Sequence, residues 1–118
     1  MHKIYDELDD EIGCCQICGS IIFDHSHNFA RSQYPGLIAE KRNITLLCRT
    51  HHRMWEDNDF DGLDIGVIEI IKNMISLTMD ETDELKQQQM LSYIAQKIIK
   101  ARDKAPTCDW IQELYDSL

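Results

Sequence analysis

Two pairs of thiol and imidazole side chains stand at the spacing of a metal site. Cys15 and Cys18 form a Cys-x-x-Cys pair, and Cys48 and His51 follow as Cys-x-x-His. Four such ligands complete the tetrahedral shell of structural zinc and leave no position for a substrate. The pairs therefore predict a zinc ion that ties the segment before the first strand to the start of a helix. Cys14 competes for the first position, but only Cys15 keeps the two-residue spacing.

Residues that suit acid–base and metal chemistry lie between and beside those pairs. Residues 24–32 read Asp-His-Ser-His-Asn-Phe-Ala-Arg-Ser, and Asn43 precedes the second pair. His51 and His52 are adjacent, so either of them can serve the zinc, and Glu56 lies one helical turn beyond His52. Neutral imidazole, with a pKa of about 6.5, can accept a proton from water near pH 7. Imidazole and carboxylate groups also bind divalent ions.

The order of these residues resembles the HNH endonucleases, notably the small zinc-containing forms common in phage-like elements. The resemblance rests on Cys-x-x-Cys, a strand ending in histidine, then Asn, four residues and Cys-x-x-His-His. It covers roughly residues 15–56, and the ordered set is specific although no single motif is. It implies a ββα-metal core, in which two short antiparallel strands and a helix surround a catalytic ion.

The resemblance also implies roles for individual residues. His27 matches the general base, and Asn43 matches the asparagine that braces the loop and orients the base. His52 matches a ligand of the single catalytic metal, and Glu56, at i+4, can face the same ion. That ion would be Mg²⁺, Mn²⁺, Ni²⁺ or Zn²⁺ and would stabilise charge on the phosphate and the leaving oxygen. Arg31 fits the arginine that such sites place against the phosphate.

One position departs from the family pattern. The residue before the base is usually Asp or His and binds the metal, but here it is Ser26. In the alternative register Asp24 is the ligand and His25 is the base. We prefer His27 because an Arg-Ser pair follows it at the family's distance. Asp24 and Ser26 share one face of an extended strand, so Asp24 can reach the metal in place of Ser26.

Hydrophobic spacing predicts the elements that position these groups. Residues 1–12 form an acidic, solvated helix, and residues 20–23 and 44–47 are two short apolar strands. A helix begins near Arg49 and runs through Trp55, which anchors it in the core.

The second half of the chain is predicted to be helical. Residues 63–79 are apolar almost all round, which indicates burial on more than one side. Asp80 or Thr82 caps the next helix, Pro106 ends it, and Thr107 caps a last helix. This half either packs on the core or forms an oligomerisation surface.

Length and composition favour one domain over residues 1–118, and the predicted strands and helices, with the ββα-metal core that the resemblance implies, make it α+β. Its parts are a zinc-knuckle core at 13–60, with two strands plus a helix, and a helical extension at 61–118. No apolar run approaches the ~18 residues of a membrane span. The N-terminus is acidic rather than a basic leader, so we expect a cytoplasmic protein. Five cysteines without a leader then favour metal binding over disulfides.

The formal net charge of −9 argues against nucleic-acid binding, because such proteins usually present a basic surface. Between residues 31 and 53, however, basic side chains face only one acidic residue, Glu40. This basic segment either contacts phosphate or is an ordinary solvated face. Its members are Arg31, Lys41, Arg42, Arg49 and Arg53.

Two functions follow from these observations. The favoured one is a metal-dependent endonuclease that hydrolyses DNA phosphodiester bonds, with DNA as partner and a possible homodimer through the helical half. The alternative is a catalytically degenerate HNH-like zinc module that binds a protein, for example in a defence or counter-defence system. Ser26 and the net charge favour the alternative. A zinc-finger regulator is disfavoured because no strongly basic recognition helix is present.

Overall fold

The computed structural model describes residues 2–118, which form helices around one two-stranded antiparallel sheet. The α+β class predicted from the sequence is confirmed. In chain order the helices and strands are α1 His2–Glu11, β1 Asp24–His27, β2 Ile44–Leu47, α2 Arg49–Glu56, α3 Phe60–Leu63, α4 Val67–Asp80, α5 Glu84–Lys104 and α6 Asp109–Asp116. Three 3₁₀ turns lie at Pro35–Leu37, Lys41–Asn43 and Asp64–Gly66.

The hairpin of β1 and β2 decides which side chains can meet. Its register places Asp24 opposite Leu47 and His27 opposite Ile44. Because side chains alternate along a strand, Asp24 and Ser26 share one face and the two histidines share the other. β1 pairs on one side only, so its other edge is open.

The apolar run at residues 20–23 does not form the first strand, which instead begins at Asp24. Ile21 and Ile22 are 84% and 79% exposed. The chain is turning here, since the Ser20 carbonyl accepts a hydrogen bond from the Cys15 N–H at 2.8 Å. The run thus begins with a residue, Ser20, that bonds to the Cys15–Cys18 segment (the knuckle) rather than to a strand.

Helix α1 packs against the hairpin instead of being solvated on all sides. Leu8 is buried with Ile44 and Leu46, and Ile4 and Tyr5 pack against the same cluster. An acidic helix therefore covers the face of the sheet that carries the two histidines. Met1, which the sequence pattern included in this helix, lies outside the described residues.

Helix α4 begins later than the apolar pattern predicted. α3 ends at Leu63, and Asp64, with φ +60°, begins the 3₁₀ turn. Ile65 and Met79, at the two ends of the predicted helix, are exposed. The wide buried stripe of α4 consists of Val67, Ile70, Ile71, Met74, Leu77 and Thr78.

The predicted caps of the last two helices are wrong. Asp83 caps α5, accepting hydrogen bonds from the N–H groups of Leu85 and Lys86. Asp80 is the last residue of α4, so its backbone is already helical. Cys108 precedes α6 without a side-chain cap bond, in the place predicted for Thr107.

The helical half packs on the first half through one apolar core. Trp55 stacks on Phe60 with ring centroids 5.8 Å apart, and both belong to a buried cluster that includes Met74, Ile94 and Ile98. Helices of the second half thus contact residues of the first half. The division into a core at 13–60 and a helical extension at 61–118 stays a prediction, as does the use of the extension in a dimer. Within residues 2–118, no helix is long and apolar enough to cross a membrane.

Candidate active site and metal cluster

The four predicted zinc ligands converge at one point. The Sγ atoms of Cys18 and Cys48 lie 3.8 Å apart, and Nδ1 of His51 lies 3.1 Å from Cys48 Sγ. Cys15 Sγ is 3.7 Å from the same nitrogen, and all four ligand atoms lie within 4.8 Å of one another. This cluster could hold a metal such as zinc. Cys14 is not among its members, in agreement with the choice of Cys15 by the two-residue spacing.

The distances between the four cluster atoms suit a tetrahedral ion, and the lowered pKa of Cys15 favours the deprotonated thiol that a metal binds. Sulfur ligands at about 2.3 Å from zinc would lie about 3.8 Å apart at the tetrahedral angle, which matches Cys18 and Cys48. Burial raises the pKa of the Cys15 thiol, but hydrogen bonds to nearby backbone groups, first that of Cys48, lower it to about 6. Cys15 is thus inclined toward the thiolate that a metal binds.

Backbone contacts fix this cluster to the sheet. Gln16 donates its N–H to the Leu46 carbonyl, and the Gln16 side-chain Oε1 accepts from the Leu46 N–H, both at 2.8 Å. Gly19 closes the knuckle at φ +79°, a conformation that glycine adopts readily. Cys48 caps α2, with its Sγ accepting from the His51 N–H. The cluster therefore joins β2, the knuckle and α2.

A cavity of about 790 Å³ is lined by residues of β1, α2 and α5 and of the loop after β1. It brings together five of the residues predicted for the catalytic site, namely His25, His27, Arg31, His52 and Glu56. Ser26 also lines it, and α5 contributes Tyr93 and Lys97. Asn43 and Asp24 are not among the lining residues.

The ring of His27 has a backbone partner that favours one neutral tautomer. Its Nε2 lies 3.0 Å from the Ile38 carbonyl, which can only accept, so Nε2 carries the proton and Nδ1 keeps its lone pair. Burial lowers the pKa of His27 below its ordinary value, and the carbonyl of Ile38 opposes this. The nearby charges of Arg31 and His52 lower the pKa further.

His25 is engaged by α1 instead. Its Nε2 lies 2.8 Å from Asp9 Oδ1, and its ring stacks on Tyr5 with centroids 4.1 Å apart. Phe23 meets the ring edge-on at 5.8 Å. These contacts restrain His25 on its face of the sheet although it also lines the cavity.

Asn43 ties down the loop that follows β1. It is fully buried; its Oδ1 accepts from the Phe29 N–H at 2.7 Å, and its Nδ2 donates to the carbonyls of Phe29 and Leu37 at 3.2 Å. That loop carries Ile38, the partner of His27. Asn43 therefore supports the His27 ring indirectly through the backbone.

Carboxylates contact both ring nitrogens of His52. Nδ1 lies 3.0 Å from Asp24 Oδ2, and Nε2 lies 3.1 Å from Glu56 Oε1. The hydrogen bond from His52 lowers the pKa of Asp24, and Arg49 lies 3.3 Å from the same oxygen. Adjacent ligands of an octahedral ion at about 2.1 Å would lie about 3.0 Å apart, so Nε2 and Glu56 fit one ion. Asp24 lies behind His52, away from the cavity.

Ser26 is the residue at which the sequence comparison, in the preferred register, expects a metal ligand. It is 1% exposed. Its Oγ is the one buried side-chain polar atom of residues 2–118 that lacks a hydrogen-bond partner. A buried hydroxyl without a partner is costly, and this one borders the cavity of His52 and Glu56.

The basic segment of the sequence does not form a cationic surface as a whole. Lys41 pairs with Glu7 and Glu11, both at 2.9 Å. Arg42 pairs with Glu40 and Asp80. Together with the contact of Arg49 to Asp24, these pairs neutralise three of the five basic residues.

Lys97 and Tyr93 of α5 were missed by sequence reasoning. Each lines the cavity, and the Lys97 Nζ lies 4.2 Å from the centroid of the Trp55 ring. No motif marks either residue, since α5 shows only a helical apolar stripe in sequence. Their position is a consequence of how α5 packs on α2.

Comparison with known proteins agrees with this arrangement. Residues 15–60, less than half of the chain, match a family model described as HNH endonuclease. The resemblance inferred from the sequence is thereby confirmed over this segment, and it indicates a nuclease-type function. Neither the curated proteins nor the solved structures that were searched contain a significant match.

Proposed function

We propose that the HNH module at residues 15–60 makes this chain a metal-dependent endonuclease that hydrolyses DNA phosphodiester bonds. The observation that carries the proposal is that His27, with Nδ1 free to accept a proton, shares one cavity with His52 and Glu56. A base and a pair of metal-binding groups around one space suit the metal-assisted hydrolysis of a phosphodiester.

His27 acts as the general base. Its Nδ1 takes a proton from the water whose oxygen forms the new bond to phosphorus, while the bond from phosphorus to the leaving oxygen breaks. The bond to Ile38 holds the ring in the required tautomer. Asn43 keeps that carbonyl in place through the loop, and Arg31 contacts a phosphate oxygen.

His52 and Glu56 would hold the catalytic ion. Mg²⁺, Mn²⁺, Ni²⁺ and Zn²⁺ all accept this donor set, and the bound ion supplies charge stabilisation at the phosphate and leaving oxygens. Asp24 is better suited to orienting His52 than to binding the ion, because it meets Nδ1, the nitrogen opposite Glu56.

A second ion is structural in this proposal. Zinc bound by Cys15, Cys18, Cys48 and His51 would fix the knuckle against β2 and the first turn of α2. A closed shell of four protein ligands leaves no place for water or substrate. This ion therefore maintains the fold of the site and takes no part in cleavage.

Plasmid cleavage tests the proposal. Supercoiled plasmid is incubated with the wild type, His27→Ala and His52→Ala in Mg²⁺, Mn²⁺ or Ni²⁺, with the exposed α4 variant Lys72→Ala as matched control. The wild type and the control should nick DNA equally, and each histidine variant should lose about 10²–10⁴-fold in rate. Equal rates in all four proteins, or no cleavage with any ion by a folded wild type, would overturn it.

The degenerate, protein-binding module is the second candidate. It is favoured by Ser26, which replaces an expected ligand, and by the net charge of −9. In that case the zinc-loaded wild type is folded yet inert with every ion, and His27→Ala changes nothing. The same plasmid experiment therefore separates the two functions.

A further inference from the structure

A second cavity adjoins the first one across Lys97. It has a volume of about 480 Å³. Glu56, Tyr93 and Lys97 line both cavities, so the two share a wall. The remaining lining residues of the second cavity come mainly from α5, outside the segment that matches the HNH family.

The ammonium of Lys97 keeps its charge available in this wall. Its Nζ donates to the Trp55 carbonyl at 3.0 Å and to Asn58 Oδ1 at 2.9 Å, and both acceptors are neutral. An ammonium has three N–H donors, so one is left by these two bonds, and the Trp55 ring that Nζ also contacts is neutral. Lys97 is thus oriented by the protein without being neutralised by a direct ion pair.

Lys100 lies one helical turn further along α5 and lines the second cavity. It is exposed, and it forms no salt bridge within residues 2–118. Burial and then the charge of Lys100 lower the pKa of Lys97 to about 8, against the opposing effect of Glu56. An anion that contacts both lysines would relieve this repulsion.

The neutral part of the second cavity suits the backbone of a nucleic acid. It offers side-chain amides and a hydroxyl, which can bond to phosphate and sugar oxygens without reading bases. Tyr93, in the shared wall, adds an aromatic ring. The polar lining residues are Gln33, Gln89, Ser92 and Gln96.

We propose that Lys97 and Lys100 bind a phosphate of the nucleic-acid strand that flanks the phosphate cleaved in the first cavity. This subsite rests on the proposed nuclease function and extends it onto α5. The subsite gives an acidic protein a local cationic site for its substrate. Lys41, Arg42 and Arg49 do not supply one, because each is already paired with a carboxylate. The contact is to the backbone, so it is independent of base sequence.

Binding of a short fluorescein-labelled single-stranded oligonucleotide tests the subsite without cleavage. The full chain carrying His27→Ala is titrated by anisotropy over a range of salt concentrations, alone and with Lys97→Gln or Lys100→Gln. Each lysine variant should raise Kd about 5- to 10-fold and reduce the slope of log Kd against log salt by about 0.7, the value for one lost phosphate contact. Lys72→Gln, on α4 and paired with Glu69, is the matched control and should bind like its parent.

Lys100→Gln keeps the test sound if Lys97→Gln fails to fold, because Lys100 is exposed. Affinity and salt slope equal to those of Lys72→Gln would overturn the subsite, whatever the plasmid assay shows. If wild-type protein cuts no DNA yet binding depends on Lys100, the nuclease proposal fails and the phosphate subsite stands. In active protein, Lys100→Gln should reduce cleavage of DNA more than cleavage of bis(p-nitrophenyl) phosphate, which has no flanking phosphate.

Discussion

His27 donates its Nε2 proton to the carbonyl of Ile38 over 3.0 Å, and this one bond fixes which nitrogen can act as a base. Because Nδ1 is then left as the acceptor, a proton can be taken up there without a change of tautomer. The carbonyl belongs to the loop that Asn43 holds. The position of the His27 ring thereby depends on the buried side-chain amide of Asn43, which does not line the cavity.

The pH dependence of cleavage should reflect the lowered pKa of His27. Burial and the charge of Arg31 favour the neutral ring, so the acid limb of kcat/KM should have its midpoint below the ordinary value of about 6.5. Arg31→Gln removes one of these charges and should move the midpoint to higher pH, besides slowing cleavage. A midpoint at or above 6.5 in the wild type would contradict this assignment.

The same shift has a consequence for stability. Between the folded and unfolded pKa values of His27, the unfolded chain binds more protons, so this residue's contribution is present above about pH 6.5 and is lost as the pH falls through the folded value. His27→Gln should therefore weaken the fall in Tm between pH 7 and 5. The check is thermal unfolding followed by circular dichroism, with Lys72→Gln showing the wild-type dependence.

Removal of Asn43 should unfold the loop rather than act on the chemistry alone. Asn43→Ala leaves the Phe29 N–H and two carbonyls without their partner in a buried place, at a cost of about 3 kcal/mol. Urea unfolding should show this loss, whereas Asn73→Ala on α4 should stay within about 0.5 kcal/mol. Wild-type stability in Asn43→Ala would refute the bracing role.

Zinc should be required for the folded state. Cys18→Ser removes one ligand and should abolish stoichiometric zinc, since apparent binding free energies of structural zinc are about 10–16 kcal/mol and appear as folding free energy. Cys14→Ser, one position outside the cluster, is the matched control and should keep one zinc per chain. Metal analysis with near-ultraviolet circular dichroism reports both effects; a Cys18→Ser protein with full zinc would disprove the ligand set.

The second strand and the following helix could be predicted because local and tertiary signals agree there. Residues 44–47 are mostly apolar and β-branched at their start, and Cys48 both belongs to the cluster and caps α2. The first strand could not be found this way. Asp24–His27 is polar, and its extended form depends on pairing with β2 rather than on its own propensity.

The site itself was only partly visible in the sequence. The sequence predicted the four cluster residues because the members of each pair, Cys15 with Cys18 and Cys48 with His51, are only three residues apart. It could not show that Lys97 contacts Trp55, which is 42 residues away, or that Asp24 meets His52 from behind. These relations depend on how helices pack, which hydrophobic periodicity leaves open.

Two substitutions of Ser26 should change the stability of the ion-free protein in opposite directions, and one of them tests the metal site. Ser26→Ala deletes a buried hydroxyl without a partner, so in the absence of the catalytic ion it should leave stability equal or raise it by about 1 kcal/mol. Ser26→Asp places a carboxylate there, which should destabilise the ion-free protein and tighten Mn²⁺ binding about 10-fold or more. Calorimetric titration of zinc-loaded protein with Mn²⁺ measures the affinity. Unchanged Mn²⁺ affinity in Ser26→Asp would place the ion elsewhere.

Asp24 and Glu56 should differ in what their loss does, because they meet opposite nitrogens of His52. Asp24→Asn keeps the size and one acceptor but removes the charge that fixes the ring, so Mn²⁺ affinity should fall about 10-fold, the lower end for an orienting residue. Glu56→Gln removes a direct ligand and should reduce affinity more. The reverse order would make Asp24 the ligand, in favour of the register in which His25 is the base. Comparing His25→Ala with His27→Ala in plasmid cleavage then decides between the two registers independently of metal affinity.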